Sequence, residues 1–196
     1  GWIEIYNPTP GNIDLTGYKI KHKGGSQYTF PSTSINGNEF LVVHWNQTGS
    51  DTATEVYTGS IGQYLDTYGG DLILLDDLSD PVDYVQFGGY GYANEAAAVA
   101  DGQWTAGNYV PHCLYGQSIG RKSTDGSDSN KSSDWQTFDS SSLGSPNMGG
   151  DSTAPDEVGS VALSDVDTVE YGLNGFDIRV VWNPATTVDP SFDRYA

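Results

Sequence analysis

The sequence predicts an all-β fold: a β-sandwich carrying one short helix, followed by the first strands of a second β-sandwich domain. Three observations predict it. Short apolar or alternating runs recur along the chain, separated by clusters of Gly, Pro, Asn, Asp and Ser. Aromatic residues are abundant, with 13 Tyr, 6 Phe and 5 Trp among 196 residues, and such side chains favour the pleated surface of a strand. Only one stretch has the composition of a helix.

The elements follow in order. Trp2, Ile3, Ile5 and Tyr6 bracket Glu4 and form a first strand, closed by the turn Asn7-Pro8. Residues 8–12 form a loop. Ile13, Leu15, Tyr18, Ile20 and His22 make the next strand, interrupted at Gly17. A short strand spans Gln27 to Phe30 and stops at Pro31. The turn Asn36-Gly37-Asn38 leads into a strongly apolar strand from Glu39 to Trp45. Residues 46–70 are a long polar excursion. Leu72, Ile73, Leu74 and Leu75 are apolar in a row, as in a strand buried on both faces. A turn rich in Asp follows, and residues 81–89 complete a hairpin. Asn94 is placed to cap a helix at Glu95–Ala100, where three consecutive Ala favour that state. Residues 118–123 read as an edge strand, 124–134 as a polar loop and Trp135–Phe138 as the last strand of the first domain. The composition then changes to Gly, Ser, Asp and Pro, marking a linker at 148–157 after a domain of residues 1–147. Beyond it, Phe176, Ile178, Val180 and Trp182 share one strand face, with Asp177 and Arg179 on the other.

The formal charge is −18, from 8 Lys+Arg against 26 Asp+Glu. So few cations build no phosphate-binding patch, which excludes nucleic acid as a partner. No run approaches the roughly 18 apolar residues of a membrane span, so no membrane insertion is expected. The lone Cys113 excludes an intrachain disulfide and reads as a small buried apolar side chain.

No nucleophile elbow, phosphate loop or paired metal-binding histidines are present. His22, His44 and His112 fall on separate elements. Asp76 and Asp77 sit in a turn, where Asp is favoured for its hydrogen bonding alone. The strongest cation candidate is the loop with Asp125, Asp128, Asn130 and Asp134, whose oxygens are of the kind calcium takes, with Gly126 allowing a tight bend. The turn Asp76, Asp77, Asp80 and Asp83 is a second, weaker set. No cofactor is required; structural calcium is the candidate ion. Tyr64, Tyr68, Tyr90, Tyr92 and Trp104 lie in loops and form the candidate ligand platform, on which sugars stack. The competing reading is that these rings cover the core beneath the loops. Asn46-Gln47-Thr48 and Asn130-Lys131-Ser132 are glycosylation sequons, relevant only after export.

Taken together, "WIEIYNPT…IDLTGYKI", "YTFP…INGNEFLVV", "GDLILLDDLSDPVDYVQFG", "SIGRKSTDGSDSNKSSDWQTF" and "SLGSPN" resemble, in order, the motifs of a lamin tail domain. The resemblance implies an immunoglobulin-like sandwich, and the Ala-rich helix and acidic loop are similar to the prokaryotic branch. No coiled-coil rod accompanies it. The strand that precedes Trp-Ile-Glu-Ile in that family has no counterpart here. The chain therefore reads as a piece of a longer protein, with an open sheet edge beside residues 2–6 to be covered by a tail strand, a second copy or a partner. Residues 151–196 resemble the beginning of a fibronectin type III domain, and 158–196 form an incomplete segment of it whose Phe176, Val180 and Trp182 are expected to pack on a neighbour.

The implied function is a non-catalytic structural or adhesion module of an extracellular or cell-surface multidomain protein. Its partners would be another protein or neighbouring domains. The alternative is a polymer- or carbohydrate-binding accessory module of a secreted hydrolase.

Overall fold

The structure is a computed structural model that describes residues 1–122, 127–139 and 141–147, and the strand backbone at 171–172 and 175–176. The chain divides into two compact units, Gly1–Gly150 and Asp151–Ala196. Of the second, β12 (Tyr171–Gly172) and β13 (Gly175–Phe176) form an antiparallel pair. The predicted linker, the fibronectin-like strand beyond Phe176 and its Val180 and Trp182 lie outside the described residues.

The first unit is the predicted immunoglobulin-like sandwich. One sheet has the order β1-β6-β7, formed by β1 (Trp2–Tyr6), β6 (Phe40–His44) and β7 (Glu55–Tyr57). The facing sheet has the order β4-β3-β8-β9, formed by β3 (Lys19–His22), β4 (Ser26–Thr29), β8 (Gly70–Leu75) and β9 (Pro81–Phe87). β8, the continuous apolar run, is central, as its composition predicts. Two shorter pairs complete the unit: β2 (Ile13–Asp14) with β5 (Ser34–Ile35), and β10 (Ser118–Arg121) with β11 (Trp135–Phe138).

Two cores lie on opposite faces of the four-stranded sheet. Ile20, Phe30, Leu41, Val43, Trp45 and Val56 fill the space between the sheets. The register places Ile20 beside Leu74 on that face and Lys21 beside Ile73 on the other. On the other face Ile73, Leu75 and Tyr84 cluster with Ala98, Trp104 and Val110 from α1 (Glu95–Ala100) and the loops after it. The 88–110 segment is therefore a third layer. It is pinned at its end by Val110, which bonds Gln86 O at 2.9 Å and accepts from Gly88 N at 2.8 Å. Gly88 has φ +72°, and a Cβ there would sit 1.9 Å from the Tyr68 carbonyl oxygen, so only glycine fits.

Three sequence expectations are corrected. The strand expected across residues 13–22 is two strands in different sheets, because Gly17 turns the chain at φ +84°. The polar excursion contains β7, parallel to β6. Asn94 makes no side-chain cap to α1; its backbone N–H instead bonds Asp71 Oδ2 at 3.0 Å.

Candidate functional site

Three places combine unusual polar chemistry with exposure. The first is the loop layer and the tyrosines it carries. Asp71 is the second residue of β8 and Gln86 lies opposite it on β9; both are fully buried. Asp71 Oδ1 accepts from Lys23 N at 2.8 Å, and its Oδ2 accepts from Asn94 N. The Tyr84 hydroxyl donates to Gln86 Oε1 at 3.0 Å and lies 3.4 Å from Asp71 Oδ2. Gln86 Nε2 donates to Glu95 Oε1 at 2.8 Å and to Asn108 O at 2.6 Å. Glu95 in turn accepts from Gly91 N and Gly107 N, each at 2.7 Å. One carboxylate at the start of α1 thus gathers both loops flanking the helix and ties them to the sheet. Burial pushes the Glu95 carboxyl up, but the bonds from Gly107, Gln86 and Gly91 together hold it below its ordinary value.

Nearby His22 is fully buried, and its Nδ1–H donates to Asp71 O at 2.8 Å. Burial pushes its pKa down, against the opposing pull of that carbonyl. Both groups act on stability in the same sense. A depressed imidazole contributes stability above the ordinary His value and loses it as pH falls below. A depressed carboxyl contributes stability above the ordinary Glu value and loses it as pH falls through it. The unfolding midpoint is therefore expected to fall in two stages between neutral pH and the carboxylate range. Glu95→Gln should shallow the second stage, to which Asp134 also contributes, and cost about 2 kcal/mol at neutral pH. Amide exchange at Gly91 and Gly107, followed against pH, checks the assignment.

The tyrosines expected to form a ligand platform divide. Tyr64, Tyr68 and Tyr90 are exposed, at 73%, 77% and 68%. Tyr92 is half-buried, with the Lys23 ammonium 6.0 Å from its ring centroid. Trp104 is corrected: it is 4% exposed, packs edge-on against Tyr84 and donates from Nε1 to Asn108 O at 3.0 Å. It is a core residue because α1 and its following loop fold over it. The structure adds Tyr109, Leu114 and the fully exposed Tyr115 to the exposed apolar residues. Tyr90 and Tyr109 are 6.1 Å apart between ring centroids, and Tyr68 lies 6.2 Å from His112. These tyrosines belong to the loops at the end of the four-stranded sheet where β8 begins and β9 finishes. Cys113, in the same loop, is half-buried rather than buried, and burial pushes its thiol up, away from the thiolate a nucleophile needs.

The second place surrounds Arg121 on β10. Its guanidinium bonds Asp83 Oδ1 at 2.6 Å and Asp128 Oδ2 at 2.7 Å, lies 3.8 Å from Asp134 Oδ2 and stacks 4.4 Å from the Trp135 ring. Burial pushes the Asp83 carboxyl up, against the pull of Arg121. Asp134 accepts from Ser129 N and Oγ and from Lys131 N, and these bonds outweigh burial to hold it at about 2. Asn130 donates from its backbone to Asp128 Oδ1 and from its side chain to Gly102 O, both at 2.8 Å. Of the predicted calcium ligands, Asp128, Asn130 and Asp134 are thus brought together; Asp125 lies outside the described residues. Among the described residues no group of three or more His, Cys, Asp or Glu is placed to hold a metal. Since Arg121 already faces these carboxylates, millimolar calcium is expected to leave the thermal midpoint unchanged against EDTA at matched ionic strength. A calcium-specific rise would assign Asp125 to a site.

The third place is the flank where β1 and β9 approach each other. A groove of about 490 Å³ runs between them, within the size range of ligand sites. Ile3, Ile5, Leu72, Leu74, Val82 and Val85 give it apolar walls, and Trp135, Pro146 and Asn147 close one side. Glu4 is half-buried here. Burial pushes its carboxyl up, and the Gly144 N–H bond to it only partly offsets that.

Neither the Glu95 network nor the groove was legible in the sequence. Glu95 was legible only as a first-turn acidic residue, and the groove arises from strands far apart in the chain. His22, His44 and His112 make separate contacts: His44 stacks on Tyr57 at 4.3 Å and reaches Glu55 at 3.3 Å, His22 bonds Asp71 O, and His112 lies beside the Tyr68 ring.

Residues 1–89 match the family model of the lamin tail domain. The matched part holds β1 to β9, that is, both sheets of the sandwich, and ends before α1 and the β10–β11 hairpin. No curated protein matches the chain.

Proposed function

We propose that residues 1–147 act as a non-catalytic assembly module of an extracellular or cell-surface multidomain protein, and that they engage another protein. The observation that carries this reading is the set of exposed tyrosines at one end of the sandwich. Tyr68, Tyr90, Tyr109 and Tyr115 present large, stiff, amphipathic rings, which are enriched where proteins meet. The loops of Tyr90 and Tyr109 are held by the Asp71–Tyr84–Gln86–Glu95 network, so little order has to be imposed there on binding. Their spacing also suits sugar rings, which makes a polysaccharide the second reading.

One experiment separates the two. A photoreactive phenylalanine analogue replaces Tyr115 in the full-length protein on its native cells, and the adducts are identified after illumination. Cross-links to a defined protein, lost in Tyr68→Ser/Tyr109→Ser, support the assembly reading. Glycan adducts lost in the same variant replace it with the accessory-module reading. Adducts indifferent to that variant overturn both.

A further inference from the structure

The tyrosine-bearing loops carry no Lys or Arg of their own. Between Lys23 and Arg121 the sequence has neither residue, and every exposed tyrosine of the sandwich falls in that interval. Two carboxylates hold these loops from within. Glu95 accepts from the N–H of Gly91, which stands between Tyr90 and Tyr92, and from that of Gly107, close to Tyr109. The fully buried Asp71 accepts from the N–H groups of Lys23 and Asn94. Among the described residues neither carboxylate forms an ion pair. Backbone N–H groups satisfy their hydrogen bonding without cancelling their charge. The Glu95 carboxyl, held below its ordinary value, stays ionised at neutral pH. A charge in such surroundings is only weakly screened and reaches the surface above it.

The rings on that surface have the geometry that receives a cation. Tyr90 and Tyr109 are exposed and stand 6.1 Å apart between centroids, tilted by 34°. The face of an aromatic ring is its negative pole. One cation of the chain already uses this chemistry: the Lys23 ammonium lies 6.0 Å from the centroid of Tyr92, at the range of a cation–π contact, while it pairs with Asp66 at 3.1 Å.

We infer that the protein engaged by the tyrosine end presents arginine side chains, whose guanidinium groups stack on Tyr90 and Tyr109. This rests on the assembly reading above and names the chemistry of its partner. Arginine is favoured over lysine because a guanidinium is planar, weakly hydrated and stacks flat on a ring, whereas an ammonium is compact and strongly hydrated. A sugar stacks on the same rings but gains nothing from the uncancelled carboxylates, whose oxygens are already committed to N–H groups and the Gln86 amide. A second copy is disfavoured, because each chain carries −18 and its Arg121 is bound to Asp83 and Asp128.

The test uses the chain as it stands and the peptide Gly-Arg-Gly-Arg-Gly, blocked at both ends, titrated at matched ionic strength. The ring resonances of Tyr90 and Tyr109 are followed by NMR. Millimolar peptide is expected to shift them. The same peptide with citrulline for arginine keeps the shape and loses the charge, and should bind at least about fivefold more weakly. Tyr90→Phe/Tyr109→Phe keeps both rings and should hold affinity within about twofold, whereas Tyr90→Leu/Tyr109→Leu should weaken it about fivefold. Both pairs are exposed, so the thermal midpoint should barely move; the citrulline comparison on the parent stands even if the Leu variant unfolds. Three results would overturn the inference: ring resonances that ignore millimolar peptide, citrulline binding as well as arginine, or a folded Leu variant with parental affinity, which would mean general attraction to an acidic chain. A defined protein cross-linked at Tyr115 whose contact holds no arginine would also overturn it and leave the assembly reading standing, so the two fail separately.

Discussion

Replacing Asn7 by Ala is expected to cost about 3 kcal/mol, the unsatisfied-carbonyl penalty for a buried polar knot, and to lower the thermal midpoint by roughly 10 °C. Asn7 follows β1 and is 1% exposed. Its Nδ2 donates to Gly11 O, Ile35 O and Asn36 O at 2.7, 3.1 and 3.0 Å. Its Oδ1 accepts from Thr9 N at 2.9 Å and Thr9 Oγ1 at 2.7 Å. One side chain thereby joins the exit of β1 to the β5–β6 turn. Ala leaves carbonyls without partners and a void. Asp keeps the acceptor but sets a negative charge against those carbonyls, so Asn7→Asp should be no better than Asn7→Ala. Urea unfolding of both variants checks the ranking; an Asp variant near the parent would show that the acceptor alone matters.

Arg121→Met is the second large effect, at about 3 kcal/mol, the low end for breaking a buried ion pair because Asp83 retains some solvent. The variant keeps the stem that covers Trp135 but strands Asp83 and Asp128. Its deficit should shrink as pH is lowered toward the carboxylate range. The reason is that Asp83 without its guanidinium binds a proton more readily in the folded state than in the unfolded chain. Arg121→Met/Asp83→Leu should recover most of the loss, since an apolar pair can replace an ion pair in partly buried surroundings. A double variant no better than the single one would mean that the guanidinium acts through Asp128 and Asp134 instead.

How much of this was legible in the sequence follows from what each signal depends on. β1, β6, β8, β9 and α1 were legible because their apolar patterns are local and strong. β5 and β7 were not, being two and three residues long; a neighbouring strand fixes them, and their composition does not. Gly17 was visible as an interruption, but whether a glycine bends a strand or ends it depends on its φ. Trp104 looked like a loop residue because its loop is polar. Its burial comes in large part from Tyr84, far off in the chain on β9. The acidic loop read as a ligand set because Asp and Asn supply oxygens wherever they occur. That a guanidinium meets them depends on the fold bringing Arg121 of β10 to Asp83 of β9. Asn7 stood in the most recognisable stretch of all, yet read only as a turn former.

The segment 141–147 returns to the flank of β1, where the Gly144 amide reaches Glu4 and Asn147 lines the same groove. Mechanical load applied between residues 1 and 147 would therefore run across one corner of the molecule. The four-stranded sheet and the tyrosine-bearing loops hang beside that path rather than along it. Tension should strip β1 from β6 first and leave the far end in its resting geometry, so the module would yield at the flank while the tyrosine-bearing loops stay ordered.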